Sequence, residues 1–331
     1  MTFCPPMPPV PPSSAPVPSG RILLTGAAGF VGRHLRQALA AACPAATLLA
    51  TAQDGRGGCV PLDITDQAAV AAMVAGFRPT ACIHLAAISA IGAARTDPAL
   101  AWRVNLHGTL HLAEAVRGHV PGCLFLFVSS ADIYGGSFGS APLDETALPA
   151  PLNAYAATKA AADLAVGALA GDGLRALRLR PFNHIGPGQS ESFVVAAFAR
   201  QIARIEAGQQ APRIAVGALD PARDFLDVRD VCAAYVACLG VADRLAPGSV
   251  LNIASGRPRR IGDVLAELLA IAGVRAEVAV DAARLRPADI PLAVGDAARA
   301  RALLGWRPAV PWCETLAAVL ADWRQRVQGA P

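Results

Sequence analysis

Tyr155 and Lys159 are the two side chains whose types and spacing point most directly to chemistry. Lys159 is the only lysine among 331 residues, and it follows one of three tyrosines by four positions. Residues four apart lie on one face of a helix, and an ammonium, unlike a guanidinium, is a compact point charge. We therefore expect Lys159 to favour the phenolate of Tyr155, to lower its pKa and to let it exchange protons near neutral pH. A packed ring beside a solvated amine is the alternative.

A glycine-rich turn follows the first candidate strand. The apolar run 21–25 precedes the turn 26–32, and a helical pattern continues from there. Strand, glycine turn and helix in this order aim the amides of a helix N-terminus at the pyrophosphate of a dinucleotide. We expect Gly26 to make the turn, Gly29 to admit the phosphates, and Gly32 to let the helix pack on the strand. The residues that we expect beside the dinucleotide here are Gly26, Gly29, Phe30, Val31 and Gly32.

The second candidate strand, residues 46–51, ends without an acidic residue. An Asp or Glu there would bind a ribose hydroxyl pair and favour NAD. Arg33 and Arg56 could instead accept a 2′-phosphate, so the choice between NAD and NADP stays open. Asp63 and Ile64 follow a third apolar run, and we expect them to flank the adenine.

Two further apolar runs, 81–87 and 123–128, are typical of buried parallel strands. Residues that follow the carboxyl end of a parallel strand lie at the sheet edge where ligands bind. At this edge we expect Leu85, Ala86 and Ala87 to bind the coenzyme. We expect Ser130 and Asp132 to be catalytic. Strands that alternate with crossover helices predict the α/β class, with a Rossmann-like doubly wound parallel sheet and a smaller C-terminal α/β lobe.

In this order, the motifs resemble those of the extended short-chain dehydrogenase/reductases, which include nucleotide-sugar epimerases, dehydratases and reductases. The motifs are Thr25-Gly26-x-x-Gly29-x-x-Gly32, Ser130 and Tyr155-x-x-x-Lys159, and the resemblance covers residues 20–325. It implies a Ser–Tyr–Lys site in which Tyr155 moves the proton and a nicotinamide coenzyme moves the hydride. It also implies that Asn105 supports the surroundings of Lys159, that Asn105 and Pro181 lie at the coenzyme, and that the protein is a homodimer.

A narrower resemblance follows in the second half of the chain. The segments 180–189, 192–194, 216–225 and 286–291 are similar to those of GDP-6-deoxy-4-keto-mannose reductases, which make GDP-rhamnose. This resemblance implies a substrate site that comprises Asn183, Phe193, Val194, Arg200, Arg223 and Arg286. Guanidinium groups suit the pyrophosphate of a nucleotide sugar because they form paired hydrogen bonds with phosphate oxygens. Gly217-Ala218 stands where that family would have Gly-Asn.

Composition excludes several other classes of protein. The net charge is +4, and the arginines are scattered rather than grouped into a basic stripe, so no nucleic-acid partner is expected. No apolar run approaches the ~18 residues of a membrane span. Eight cysteines lack a CxxC pairing and indicate reduced thiols of a cytoplasmic enzyme. His107 and His111 are four apart, but the sequence offers no third ligand, so no metal site is expected.

Proline density and the motifs together predict the domain boundaries. Residues 1–19 hold eight of the 27 prolines, which favours a disordered tail. We expect a coenzyme-binding Rossmann domain over 20–182, to which the chain returns at about 224–256. A substrate lobe is expected over 183–223 and 257–331.

We predict a reductase. A hydride from NAD(P)H would reach C4 of a nucleotide-linked 4-keto-6-deoxyhexose while Tyr155 protonates the developing alkoxide and Ser130 donates a hydrogen bond to the same oxygen. A dehydratase is a rival, but Ala131-Asp132 stands where such enzymes carry an acid and a base, and the role of Asp132 stays open. A 4-epimerase would use the same triad with a tightly held NAD. A non-catalytic NAD(P)-binding sensor would not need the triad.

Overall fold

The structure is a computed structural model that describes residues 20–285 and 290–329. The expectations for the tail 1–19 and for Arg286 concern residues outside these ranges. The strands are β1 (Arg21–Thr25), β2 (Thr47–Ala52), β3 (Val60–Pro61), β4 (Ala81–His84), β5 (Leu124–Val128), β6 (Ala176–Pro181), β7 (Asn183–Ile185), β8 (Arg213–Val216), β9 (Ala222–Asp227), β10 (Ser249–Ile253), β11 (Pro258–Arg260), β12 (Glu277–Val280) and β13 (Leu292–Ala293).

The α-helices are α1 (Phe30–Ala42), α2 (Gln67–Phe77), α3 (Ile91–Thr96), α4 (Pro98–Trp102), α5 (Thr109–His119), α6 (Ala154–Gly171), α7 (Val194–Glu206), α8 (Val228–Val241), α9 (Ile261–Ala272), α10 (Ala298–Leu304) and α11 (Trp312–Gln328). A π-helix, Arg103–Gly108, leads directly into α5. The 3₁₀ segments are Arg56–Gly58, Ala131–Ser137, Ala242–Arg244 and Ala282–Arg284. Within the described residues, no helix is both long enough and apolar enough to cross a membrane.

Seven parallel strands form the main sheet in the order β10-β6-β5-β4-β1-β2-β3. The chain runs outward from β1 to β2 and β3, and then returns to place β4 on the other side of β1. This reversal opens a crevice at the carboxyl ends of β1 and β4, which is where open α/β sheets bind their ligands. The predicted α/β class and Rossmann-like sheet are confirmed.

Helices cover both faces of this sheet, and alternate residues of β1 enter the two resulting cores. Leu24 packs in one core with Leu35 of α1 and Val231 of α8. Leu23 packs in the other with Leu112 of α5 and residues of α2 and α6. Burial on both faces explains why the strands of this sheet are continuously apolar.

A second, smaller lobe follows the main sheet. Strand β9 pairs with β7, β11 and β13, while β8 and β12 form a separate parallel pair. Helices α7, α9 and α11 pack around a third core that includes Phe198, Val264 and Leu320. Apolar residues recur on one side of each of these helices, so each helix buries that side against its neighbours.

The start of α6 is fixed by a side-chain cap. The Asn153 side-chain oxygen accepts a hydrogen bond from the backbone N–H of Ala156 at 2.9 Å, which satisfies one of the free amides of the first turn. The alanine-rich sequence that follows favours helix over 18 residues. Tyr155 therefore lies in the first turn of α6, and Lys159 lies one turn later.

Candidate active site

The glycine turn between β1 and α1 is shaped for close approach. Gly26 has a φ of 70°, and a Cβ added there would lie 2.7 Å from the backbone nitrogen of Ala86. A Cβ on Gly32 would lie 2.3 Å from the carbonyl oxygen of Gly26. Helix α1 begins after Gly29 with no side-chain cap and no acidic residue in its first turn. The amides of that turn therefore face the crevice uncapped, which suits a pyrophosphate.

The edge beyond β5 carries the next candidate groups. Ser130 is buried and caps the 3₁₀ segment, where its hydroxyl accepts a hydrogen bond from the Asp132 backbone N–H at 3.1 Å. Among the described residues, Ser129 also has a buried hydroxyl that finds no hydrogen-bond partner. A buried polar atom without a partner is costly, so an unpaired hydroxyl at this edge fits a site that holds a polar ligand. The glycine turn and this edge both fit a dinucleotide.

Lys159 is buried, with 4% of its surface exposed. Its Nζ donates a hydrogen bond to the carbonyl oxygen of Val128 at 2.5 Å and lies 4.4 Å from the centre of the Phe127 ring. Burial lowers the pKa of Lys159 to about 7, and the charge of Asp163 acts in the opposite direction. The bond to Val128 uses one of three ammonium hydrogens, so donors remain for a ribose hydroxyl.

The expectation that Lys159 would lower the pKa of Tyr155 is wrong for this structure. Burial raises the pKa of the Tyr155 hydroxyl, the charge of Asp132 raises it further, and a hydrogen bond with the Ser130 side chain lowers it only in part. The physical reason is that burial of the phenol dominates, while the Lys159 ammonium is directed to the Val128 carbonyl. Tyr155 is consequently held as a neutral phenol, which is a proton donor rather than an acceptor.

Asn105 lies within the π-helix and is fully buried. Its side-chain oxygen accepts from the Ile88 N–H at 2.8 Å, and its side-chain nitrogen donates to the Ile88 carbonyl at 3.1 Å and to the Thr158 hydroxyl at 2.9 Å. Thr158 in turn donates to the Tyr155 carbonyl at 2.7 Å. Asn105 therefore fastens the segment after β4 to the helix of Tyr155 and Lys159. π-Helical turns are often found at functional sites.

An ionic network that the sequence did not predict lies one turn beyond Lys159. Asp163 is fully buried and accepts hydrogen bonds from Arg178 at 3.0 Å and from Arg180 at 2.9 and 3.2 Å. Arg180 also donates to the Tyr134 hydroxyl at 3.0 Å. The network joins α6 to β6 and to the segment that follows Ser130. The feature of the sequence that could have indicated this network is an acidic residue, Asp163, four positions after Lys159.

Several expected coenzyme contacts surround the crevice. The Asp63 carboxylate accepts from the backbone N–H and the hydroxyl of Thr65 and from Gln53, and these bonds lower its pKa. Ile64 is buried beside Gly108. Leu85, Ala86 and Ala87 follow β4, and Pro181 ends β6.

The two arginines considered for a 2′-phosphate have different surroundings. Arg33 donates to the carbonyl oxygen of Gly188 at 2.8 Å, which directs it to the loop after β7. The side chain of Arg56 is 72% exposed on the turn after β2, where it lies 3.7 Å from the Asp54 carboxylate. Of the two, Arg56 has the freer guanidinium.

The expected substrate residues lie along the start of the second lobe. Asn183 begins β7, Phe193 precedes α7, and Val194 begins that helix. Arg223 on β9 donates to the Ile290 carbonyl at 2.6 Å. Arg200 is ion-paired with Glu191 at 2.6 Å, and both side chains are partly exposed.

A Rossmann-like sheet with an uncapped glycine turn, bordered by Ser130, Tyr155 and Lys159, defines a nicotinamide-dinucleotide enzyme. The sequence matches the model of the NAD dependent epimerase/dehydratase family over residues 22–254. The chain belongs to that family. The predicted family is thereby confirmed, and with it the use of a nicotinamide coenzyme.

Individual relatives span nearly the whole chain. It is 39% identical to GDP-6-deoxy-D-mannose reductase of Pseudomonas aeruginosa, over 93% of this chain and 98% of that protein. It is 28% identical to UDP-glucose 4-epimerase of Streptomyces lividans, over 88% of this chain and 92% of that protein. The solved structure of RMD from Pseudomonas aeruginosa complexed with NADPH has a TM-score of 0.83 and 38% identity, over 93% of this chain and 99% of that one. Thermus thermophilus UDP-glucose 4-epimerase in complex with NAD has a TM-score of 0.79 and 28% identity, over 94% and 100%.

Proposed function

We propose that this protein reduces the 4-keto group of GDP-4-keto-6-deoxymannose to give GDP-rhamnose, with NAD(P)H as reductant. The observation that carries the proposal is the extent of the similarity to GDP-6-deoxy-D-mannose reductase. The family model ends at residue 254, whereas that similarity covers 93% of this chain and so includes much of the second lobe. Members of one fold family differ in function through their sites, and the second lobe holds the expected substrate residues.

In this proposal, Tyr155 is the general acid. Its neutral phenol donates a proton to the oxygen at C4, and the Ser130 hydroxyl donates a hydrogen bond to the same oxygen. A bound NAD(P)H supplies the hydride. Lys159 is bonded to the Val128 carbonyl, and we propose that its remaining N–H groups hold a ribose hydroxyl of the coenzyme beside Tyr155. The phenol of Tyr155 is neutral at physiological pH and so carries the proton that the reduction consumes.

The remaining site residues receive these roles as part of the same proposal. The dinucleotide contacts Gly26, Gly29, Phe30, Val31, Gly32, Asp63, Ile64, Leu85, Ala86, Ala87, Tyr155, Lys159 and Pro181. Asn105 supports the site by holding Ile88 and Thr158 in place, because its side-chain oxygen and nitrogen are already bonded to these residues. The nucleotide sugar contacts Asn183, Phe193, Val194, Arg200, Arg223 and Arg286. Asp132 lies close enough to raise the pKa of Tyr155, and we place it beside the reacting sugar.

We further propose that residues 20–182 and about 224–256 bind the coenzyme, that 183–223 and 257–331 bind the nucleotide sugar, and that the enzyme is a cytoplasmic homodimer. The seven described cysteines are free thiols, which is in keeping with a reducing compartment. The end of β2 lacks a carboxylate for the ribose hydroxyls and is followed by Arg56, so we expect NADPH to be preferred over NADH.

The test is a coenzyme-oxidation assay with a small panel of GDP- and dTDP-linked 4-keto-6-deoxy sugars, each offered with NADPH and with NADH. We expect loss of the reduced-coenzyme absorbance with the GDP-linked sugar, and GDP-rhamnose as the product. The 4-epimerase reading predicts a different result, namely bound NAD in the purified protein and turnover without added coenzyme. A dehydratase would release water from a GDP-hexose that still carries its C6 hydroxyl. Failure to oxidise the coenzyme with any member of the panel would reject the reductase.

A further inference from the structure

A buried series of hydrogen bonds runs beneath the candidate active site. The Thr25 hydroxyl lies 2.7 Å from Nδ1 of His84, and Nε2 of His84 lies 3.0 Å from the Thr109 hydroxyl. Thr109 then donates to the Asn105 carbonyl at 2.7 Å. None of these four side chains is more than 1% exposed. The series therefore lies entirely in the interior, where hydrogen bonds are strong and unpaired groups are costly.

The two ends of the series lie at the two halves of the site. Thr25 is the last residue of β1, directly before Gly26 of the glycine turn. At the other end, Asn105 donates to the Thr158 hydroxyl, and Thr158 donates to the Tyr155 carbonyl. His84 stands between the coenzyme turn and the helix that carries Tyr155, although it contacts neither of them directly.

The directions of the bonds follow from the hydrogens available. Thr109 has one hydroxyl hydrogen and gives it to the Asn105 carbonyl, so it can only accept from His84. Nε2 of His84 therefore carries the ring proton, and Nδ1 accepts from the Thr25 hydroxyl. Burial, followed by the charge of Lys159, lowers the pKa of His84 to about 3, so the ring is neutral. A neutral histidine with one donor and one acceptor completes the series.

We propose that His84 is a positioning residue that fixes the distance between the glycine turn and the helix of Tyr155 and Lys159. The inference rests on the proposed function only in that both use the same site. A coenzyme bound at the turn must present its nicotinamide to Tyr155 across this distance. Backbone pairing of β1 with β4 already places Thr25 beside His84, and the side-chain bonds fix the separation further. Small displacements of reacting groups can lower rates by about 100-fold, so these buried bonds have kinetic consequences.

Two variants cut the series at neighbouring links. In His84→Phe, the new ring lies among Phe125 and Phe127, whose centres are each 6.1 Å from that of His84, but it bonds neither threonine. Thr109→Val removes only the hydroxyl and nearly preserves volume. His84→Gln is the conservative variant, because its amide offers one acceptor and one donor. Thermal unfolding of each variant shows whether it is folded before any other comparison.

The primary readout is coenzyme affinity, measured from NADPH fluorescence without any sugar, and it does not depend on the identity of the substrate. We expect His84→Phe and Thr109→Val each to weaken NADPH binding by about 10-fold, as loss of a buried hydrogen bond does. The double variant should bind NADPH no more weakly than the more affected single variant, because the first substitution has already broken the series of hydrogen bonds. His84→Gln should recover most of the affinity.

In turnover assays, the same variants should show a lower kcat as well as a higher KM for NADPH, because Tyr155 is no longer correctly positioned relative to the coenzyme. Wild-type affinity and kcat in folded His84→Phe and Thr109→Val would overturn the proposal. Losses that multiply in the double variant would also overturn it, since they would indicate two independent packing defects. A wild-type protein that binds NADPH but reduces no sugar would instead reject the proposed function, while the affinity comparison would still decide the role of His84.

Discussion

The edge that carries the coenzyme motifs and the lobe expected to bind the sugar nucleotide are built in different ways. At the coenzyme edge, the polar groups are buried and bonded to one another: Asn105 is fully buried, and Lys159 is 4% exposed. In the second lobe, by contrast, Arg213 and Arg200 lie in ion pairs near the surface. Arg213 and Glu277 are 65% and 69% exposed, and Arg200 and Glu191 are 39% and 49% exposed.

This difference has an energetic meaning. Exposed ion pairs contribute about 0–1 kcal/mol, so an arginine can exchange its carboxylate for a phosphate at little cost. Buried groups cannot change partners without leaving a charge or a donor unsatisfied. In the proposed function, the coenzyme edge is thus held ready for reaction, whereas the second lobe can adjust to the nucleotide sugar.

The largest expected effect falls on the coenzyme edge. Tyr155→Phe removes the phenolic proton but keeps the ring, so we expect turnover to fall by about 10² to 10⁴, as for loss of a general acid. NADPH affinity should change little, because the glycine turn is untouched. Steady-state kinetics and coenzyme fluorescence measure the two quantities separately. Near-normal turnover would show that Tyr155 is not the general acid. A parallel loss of NADPH affinity would show that the hydroxyl serves coenzyme binding instead.

The next prediction compares the stability lost when a buried ion pair is broken with that lost when an exposed pair is broken. Asp163→Asn leaves Arg178 and Arg180 without their buried carboxylate, and we expect it to lower the free energy of unfolding by about 3–5 kcal/mol. Glu277→Gln, the matched change in the exposed pair with Arg213, should cost less than about 1 kcal/mol. Urea unfolding of both variants measures the difference. Equal losses would contradict the contrast between the two regions.

Sequence reasoning was better suited to the coenzyme edge, because glycine turns and strand-end motifs depend on local backbone geometry. The i, i+4 spacing placed Tyr155 and Lys159 on one helix. It could not show that the ammonium would bond the Val128 carbonyl, 31 residues earlier, and this is why the pKa expectation for Tyr155 was wrong. His84 was also out of reach, because Thr25 and Thr109 are 59 and 25 residues away from it. Such partners are set by packing rather than by spacing.

A third prediction ranks the arginines of the second lobe. If Arg223 binds a phosphate, Arg223→Ala should raise the KM for the GDP-sugar by about 10- to 100-fold, since a charge-assisted hydrogen bond contributes about 1.5–3 kcal/mol. Arg200→Ala should also raise the KM, because a phosphate can replace Glu191 as the partner of Arg200 at an exposed position. Arg213→Ala serves as the control and should leave KM unchanged. Steady-state kinetics at saturating NADPH give the ranking, and an equal rise in all three variants would argue against a defined phosphate site.

The smallest expected effect concerns the protonation of Lys159. The pKa of Lys159 is about 7 in the folded protein and about 10.5 when the chain is unfolded, so between these values the unfolded chain binds more protons. Stability contributed by this group therefore rises with pH above 7. Between pH 7 and 8.5 the expected gain is about 1.6 kcal/mol. This pH window lies above the pH range in which the lowered pKa of His84 affects stability. It lies below the pH range in which the raised pKa values of the buried thiols affect stability. Thermal unfolding of wild type and Lys159→Met across the window should show the rise only in the wild type. The same slope in both proteins would mean that the ammonium keeps its charge throughout, and that burial at the coenzyme edge perturbs Lys159 less than its surroundings indicate.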